Sequence, residues 1–268
     1  MGLRINTNLP ALNAQRNTEN ANGILSNALR QLASGRRINR AADDAAGLAL
    51  AEQFNTQARQ GRVEVNNLQQ GVNYAQTAEG GLEVQQQATQ RLRELAVQAS
   101  NGTLSDEQRA AINTEAQQLV DQIGDVAEDT EYNGQQLLAE NTSVDLGTEG
   151  DLAVNINAST PESLGVDTVD LSTAEGAAQA IETLDTAQQR ISQNRASVGA
   201  QMNRFESAIT QREIGVENAV ASESAIRDAD LARTVIEQTR GQLLLQGGIG
   251  ALAQSNVTPQ AALGLLGG

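Results

Sequence analysis

The 268-residue chain contains no cysteine, histidine or lysine, and only four aromatic residues. These absences exclude disulfide bonds, thiolate and imidazole metal ligands, and catalysis by a thiol or a histidine base. The low aromatic content favours a thin body packed with Ala, Leu, Ile and Val over a compact core.

The net charge of −15 is unevenly distributed along the chain. Residues 101–175 contain sixteen acidic residues against Arg109, whereas residues 1–40 contain six arginines against Glu19. A basic segment can bind nucleic acid, but no aromatic stacking residues accompany it and the whole chain is acidic. We therefore predict no nucleic-acid partner.

No apolar run approaches the roughly 20 residues of a membrane helix, and the start of the chain lacks a charged-then-apolar signal sequence. The sequence therefore predicts a soluble chain with no membrane partner and no conventional secretion signal.

Residues 1–34 are predicted to form an amphipathic helix. Its stripe includes Leu25, Leu29 and Leu32 at helical spacing, and Ser34 followed by Gly35 is a typical helix end. A loop follows, and a second long helix is predicted over residues 45–100. Its inward-facing stripe, in steps of three and four, is Phe54, Ala58, Gly61, Val65, Leu68, Val72, Ala75, Glu79 and Leu82.

The third helix is predicted to begin with a capping box formed by Ser105 and Gln108. Its apolar face is Ile112, Ala116, Leu119, Ile123 and Val126.

Short strands are predicted after the third helix. Residues 132–135, with Asn133 and Gly134 at the centre, are typical of a type I′ turn. Short strands are expected at 144–146, 152–156 and 166–167. Ser172 and Glu175 are then predicted to form a second capping box.

A heptad repeat over residues 181–219 predicts a coiled-coil helix that is roughly 58 Å long. Its unbroken seam position is Leu184, Ile191, Val198 and Phe205. Gln188, Arg195 and Arg212 also lie in the seam. The helix before the strands can supply its partner. The predicted fold class is therefore mainly α: an elongated helical hairpin or coiled-coil rod with a small β-hairpin region and paired terminal helices.

The last part of the chain has a new apolar stripe, which we expect Gly247 and Gly248 to interrupt. The tail at 263–268 is apolar and uncharged. An apolar end of this kind requires cover by another chain, so the sequence indicates self-assembly through the chain ends. The residues predicted to pack between subunits are Leu9, Leu12, Leu25, Leu29, Leu32, Leu243, Leu252, Leu263 and Leu266.

Several motifs resemble those of one family and occur in the same order. They are Leu3-Arg4-Ile5-Asn6-Thr7-Asn8, Leu32-Ala33-Ser34-Gly35, Ala42-Asp43-Asp44-Ala45-Ala46-Gly47, the block from Gln90 to Gln98, Glu131-Tyr132-Asn133-Gly134, Ile226-Arg227-Asp228-Ala229-Asp230, and Leu252-Ala253-Gln254-Ser255-Asn256. They resemble bacterial flagellin, in a short form with the outer variable domains nearly absent. The resemblance covers roughly residues 1–140 and 175–268.

The resemblance implies a structural subunit that self-assembles into the flagellar filament for swimming motility. It implies an inner domain of terminal helices (1–40 and 228–268), a helical rod domain (41–139 and 173–227) and a short β-rich remnant of the variable region (140–172). It also implies type III flagellar export without a cleaved signal peptide, so that the subunit is secreted into the extracellular filament. The implied partners are further copies of the chain, an export chaperone that binds the C-terminal region, and cap and hook-associated proteins.

Arg91, Leu95 and Glu115 resemble the positions that the vertebrate Toll-like receptor 5 contacts. The alternative is that Leu95 belongs to a packed helix face while Arg91 and Glu115 are solvated surface residues. Residues 30–51 similarly resemble the segment sensed by a plant flagellin receptor kinase.

No catalytic, cofactor or metal site is predicted. The pairs Asp43/Asp44 and Asp228/Asp230 lack the loop spacing of a calcium site, and the chain has no nucleophile–base constellation.

Three classes of function remain open from the sequence. The first is a filament-forming structural protein, which the motifs favour. The alternatives are a hook–filament junction protein of the flagellum and a secreted coiled-coil effector or adhesin.

Overall fold

The computed structural model describes residues 8–147 and 152–266, of which 258–266 are described as helix backbone. The chain is 77% helical, and this confirms the mainly α fold class. The helices are α1 (Leu9–Ser34), α2 (Ala45–Ala99), α3 (Asp106–Asp129), α4 (Pro161–Leu164), α5 (Ala174–Arg227) and α6 (Leu231–Leu266). The strands are β1 (Glu131–Tyr132), β2 (Gln135–Gln136), β3 (Thr142–Asp145) and β4 (Ala153–Ile156).

The chain divides into two compact units. The first unit combines Met1–Ala58 with Glu217–Gly268, and the second is Arg59–Val216. The domain boundaries expected from the resemblance stay a prediction.

In the first unit, α1 and α6 run antiparallel and meet through small residues. Ala14, Ala21 and Ala28 of α1 are buried at a spacing of seven residues. A Cβ atom at Gly241 of α6 would lie 3.1 Å from the backbone nitrogen of Leu25. The absence of a side chain at this position therefore lets the two helices approach closely.

Helix α6 continues through Gly247 and Gly248, so the two glycines interrupt the apolar stripe without ending the helix. The physical reason lies in packing. A Cβ atom at Gly248 would lie 2.5 Å from Oγ1 of Thr18. Gly248 thus permits a close contact with α1 instead of ending the helix.

In the second unit, α5 packs antiparallel against α2. The heptad seam residues Leu184, Ile191, Val198 and Phe205 are at most 1% exposed, which confirms the predicted seam. The two helices are also joined by Glu64–Arg212 at 2.9 Å, Glu79–Arg195 at 3.6 Å and the pair of Arg93 with Asp185. The predicted seam arginines therefore meet carboxylates of α2.

The capping box at the start of α3 is confirmed, because Ser105 Oγ accepts from the N–H of Gln108 and the Gln108 side chain accepts from the N–H of Ser105. The buried face is shifted from the predicted one. Val120 and Ala127 are buried, whereas Leu119 and Val126 are half-buried. The small side chain of Ala127 lies in the core, while Leu119 packs against it from the edge.

The type I′ turn is confirmed by the positive φ angles of Asn133 (54°) and Gly134 (77°) between β1 and β2. Strands β3 and β4 form a second antiparallel hairpin. The strand predicted at 166–167 is wrong. Thr160 instead caps the short helix α4, and the N–H of Val166 donates to the carbonyl of Pro161 just beyond its end.

The second predicted capping box is also wrong, because the capping residue is Thr173 and not Ser172. Thr173 Oγ1 accepts from the N–H of Gly176 at 3.0 Å and caps α5. The N–H of Ser172 instead donates to Asp170 Oδ1. The sequence offers two neighbouring hydroxyl residues at this point, and Ser172 is engaged in the turn that precedes the helix.

Candidate assembly surface

Large apolar side chains are exposed on α1 and α6. Of the sixteen such residues among the described side chains, ten lie on these two helices. They are Leu9, Leu12, Leu29, Leu231, Val235, Ile236, Leu243, Leu244, Ile249 and Val257. We refer to these ten residues as the terminal apolar surface.

The surface follows from how α1 and α6 pair. Because the contact between them uses alanine, glycine and threonine, the larger side chains are left on the outside of the pair. Ile236 is 67% exposed and Leu243 is 64% exposed, whereas Thr234 and Gly241 are buried. Helix α6 thus carries large apolar side chains on its outer face, among exposed polar residues such as Gln242. Clustered exposed apolar side chains of this kind mark an interaction surface.

The structure separates the predicted packing residues into three groups. Leu9, Leu12, Leu29 and Leu243 are exposed and belong to the terminal apolar surface. Leu25, Leu32 and Leu252 are half-buried. The side chains of Leu263 and Leu266 lie outside the described residues. The role of all nine in packing between subunits stays a prediction.

Several exposed residues were absent from the predicted set. They include Ile236, Leu244 and Ile249. Sequence periodicity finds one apolar stripe on a helix, and here the stripe toward α1 is built from small residues. The signal that could have found these residues is the run of three leucines at 243–245, which is too continuous to lie on a single stripe of a helix.

The three residues predicted to contact the receptor occupy different environments. Arg91 Nη2 lies 2.9 Å from Glu115 Oε1, and both side chains are about half exposed. This hydrogen-bonded carboxylate raises the pKa of Arg91 further. Leu95 is 2% exposed and belongs to the hydrophobic core. The receptor contact stays a prediction, and its surface members are Arg91 and Glu115.

The carboxylates considered as metal ligands form helix and loop contacts. Asp43 Oδ2 accepts from the backbone N–H groups of Asn39 and Arg40 at 3.0 Å, and Asp44 Oδ1 accepts from the N–H of Gly47 at 2.9 Å. Within residues 8–147 and 152–266, no three carboxylates converge as metal ligands would. No helix in that part of the chain has the length and hydropathy needed to cross a membrane.

Comparison with known proteins identifies the family. The bacterial flagellin N-terminal helical region matches residues 5–143, and the bacterial flagellin C-terminal helical region matches residues 181–266. The chain is 39% identical over 273 residues to the flagellin of Halalkalibacterium halodurans, covering 98% of this chain and 99% of that protein. It is 36% identical over 286 residues to flagellin FlaB1 of Treponema pallidum, again covering 98% and 99%.

Among solved structures, the crystal structure of Bacillus cereus flagellin matches with a TM-score of 0.50 and 28% identity, covering 55% of this chain and 88% of that one. The two family matches together span both helical regions, and the relatives align along nearly their whole length. The chain therefore belongs to the bacterial flagellin family and is a structural subunit of the flagellar filament, not an enzyme.

Proposed function

We propose that the terminal apolar surface is where subunits of the filament pack against one another, and that the filament so formed serves swimming motility. The observation that carries this proposal is the concentration of exposed large apolar side chains on α1 and α6. In this proposal, residues 1–40 and 228–268 form the inner domain. Residues 41–139 and 173–227 form the rod around it, and residues 140–172 replace the variable domains.

The energetics support packing through this surface. Burying one Leu, Ile or Val side chain contributes about 1.5–3 kcal/mol. A few such residues in each contact therefore offset a large part of the entropy lost on association. Conversely, placing an unpaired charge in such a contact costs several kcal/mol.

A matched pair of variants on α6 tests the proposal. Leu243→Glu places a carboxylate in the terminal apolar surface and is expected to abolish filament growth in electron micrographs. Gln242→Glu adds the same charge at the neighbouring exposed position. It is expected to reduce filament growth less than Leu243→Glu does. Circular dichroism of both monomers checks that each is folded, and normal filaments from folded Leu243→Glu would refute the proposal.

We also propose that the subunit is exported through the flagellar type III apparatus and is covered before assembly by an export chaperone on its C-terminal region. The apolar exterior of α6 supports this, because an unpolymerised subunit needs cover for it. Cap and hook-associated proteins would meet the subunit outside the cell. The contact with the chaperone can be tested by calorimetric titration. The chaperone is titrated with the full chain and with a chain that ends at residue 230, and equal affinities would contradict binding to the C-terminal region.

The main alternative, a hook–filament junction protein, forms no long filament. The match to flagellins over almost the whole chain supports the filament subunit instead. Electron microscopy of the purified protein after addition of a kosmotropic salt separates the two, since only the filament subunit yields long filaments.

Recognition by Toll-like receptor 5 is a further proposal, supported by the exposed ion pair of Arg91 and Glu115. In a receptor reporter assay, Arg91→Ala is expected to weaken signalling. Arg93→Ala removes another exposed, ion-paired arginine two residues away and serves as the control. Because Leu95 is buried, Leu95→Ala reports on stability more than on contact. Equal loss in the Arg91 and Arg93 variants would contradict a specific contact.

A further inference from the structure

Four arginines lie within eleven residues of sequence, from the last turns of α1 into the connection to α2. They are Arg30, Arg36, Arg37 and Arg40, and we call them the arginine connection. Within the described residues none of them forms an ion pair. Arg30 donates to the side chains of Ser26 and Asn27, and Arg37 donates to the carbonyl of Ile226 at 2.6 Å. Each guanidinium has five N–H donors, so most of this donor capacity faces solvent.

The nearest carboxylates do not use up these donors. Asp43 and Asp44 both accept backbone N–H groups of the same loop or of the start of α2. Arg30 and Arg37 line a polar cleft of about 350 Å³ that Asp43 and Asp44 also line. Within the described residues these two carboxylates form no ion pair with the arginines, so the guanidinium groups stay available to a further carboxylate.

A complementary surface exists on α3. Asp121, Asp125 and Glu128 are exposed at positions i, i+4 and i+7 and share one face of the helix. We call these three residues the acidic face. Like charges at this spacing destabilise a helix unless a cation lies nearby. The only basic residue of α3 is Arg109, which is buried and bound to Asp106 and to backbone carbonyls.

We infer that the arginine connection of one subunit binds the acidic face of α3 in a second copy of the chain. The inference rests on the proposed function, since it requires that subunits assemble. Arginine suits this contact because its planar fork binds a carboxylate through two parallel hydrogen bonds. The contact fixes which faces of neighbouring subunits meet, while the terminal apolar surface holds them together.

Charge-swap variants test the contact. Arg36→Glu/Arg40→Glu reverses two exposed side chains that make no hydrogen bond within the described residues. It is expected to slow seeded polymerisation at pH 7 by about tenfold or more. Asp121→Arg/Asp125→Arg is expected to do the same. The chain that carries all four substitutions restores opposite charges and is expected to polymerise at close to the parental rate.

The matched control is Arg59→Glu/Arg62→Glu, which makes the same change in net charge on an exposed face of α2. It is expected to slow polymerisation much less than the swap in the arginine connection. Circular dichroism confirms folding of each monomer. Parental rates for Arg36→Glu/Arg40→Glu, or failure of the folded fourfold variant, would overturn the contact. Filament formation by the parent chain tests the proposed function separately, so the two can fail independently.

Discussion

At the scale of single residues, Gln85 joins three segments of the second unit. It is fully buried, and its Nε2 donates to the carbonyls of Ile123 and Ser159 while its Oε1 accepts from the hydroxyl of Ser159. The side-chain amide of Gln85 therefore joins helix α2 to helix α3 and to the segment before α4.

We expect Gln85→Ala to lower the free energy of unfolding by about 2–4 kcal/mol, because it leaves buried polar groups unpaired and opens a cavity. Gln87→Ala, at an exposed position of the same helix, should change it by less than about 0.5 kcal/mol. Urea unfolding of the monomer measures both. Similar effects in the two variants would show that the buried amide has no special role.

Asp43 gives a pH-dependent expectation. The N–H groups of Asn39 and Arg40 donate to its carboxylate and hold its pKa below the usual 3.8. Because the pKa is lower in the folded chain, ionised Asp43 stabilises the loop above pH 3.8. This contribution is lost as the pH falls through the folded pKa.

In an NMR titration, the amide signals of Asn39 and Arg40 should therefore shift together, with a midpoint below 3.8. Asp43→Asn should remove that titration step. A midpoint at or above 3.8 in the parent chain would contradict the hydrogen-bonded loop.

At the scale of secondary structure, the sequence predicted elements whose local chemistry has one solution. Ser105 and Gln108 form their capping box, and no other hydroxyl residue directly adjoins Ser105 to compete for the cap. The seam from Leu184 to Phe205 is buried because large apolar residues keep a strict heptad. Local patterns of this kind are sufficient when nothing distant competes with them.

The incorrect predictions arise where the sequence offers more than one local arrangement. Val166 has a strand-like sequence, but its backbone N–H donates to the carbonyl of Pro161 in the turn after α4. Ser172 has the chemistry of a helix cap, but its N–H donates to Asp170 and Thr173 caps α5 instead. The terminal apolar surface was found only in part, since the sequence does not show that small residues would make up much of the contact between α1 and α6.

Glycine substitutions in α6 test that contact. Gly241 lies against Leu25, whereas a Cβ atom at Gly247 would have no neighbour within 4 Å. We expect Gly241→Gln to push the helices apart and lower stability by about 1–3 kcal/mol. Gly247→Gln should stabilise the helix slightly, because glycine is a poor helix former.

The melting temperatures of the two monomers, measured by circular dichroism, should therefore shift in opposite directions from that of the parent chain. If both substitutions raise the melting temperature, the close approach of α1 and α6 at Gly241 is wrong.

At the scale of the whole molecule, the two units differ in the size of the apolar side chains that are buried within each of them. The buried residues of α1 are three alanines, whereas the second unit has a core with Phe205 and many leucines. Alanine buries little area, so the helices of the first unit should open more readily in the free subunit.

Trypsin provides the measurement, because all its sites in this chain are arginines. In monomers, cleavage should begin at Arg16 in α1 and at Arg233 and Arg240 in α6. The buried Arg109 of the second unit is the internal reference for slow cleavage. In filaments the three early sites should be protected. Cleavage at equal rates in monomers and filaments would show that assembly does not cover these helices.

The pairing of α1 with α6 brings together the first and the last helix of the described chain. A chain that ends between residues 217 and 230 therefore retains α1 and the residues of the second unit but lacks α6 and seven of the ten residues of the terminal apolar surface. If subunits pack through that surface as we propose, such a truncated product folds its second unit but cannot join the growing polymer. Assembly then selects for chains whose synthesis has reached α6.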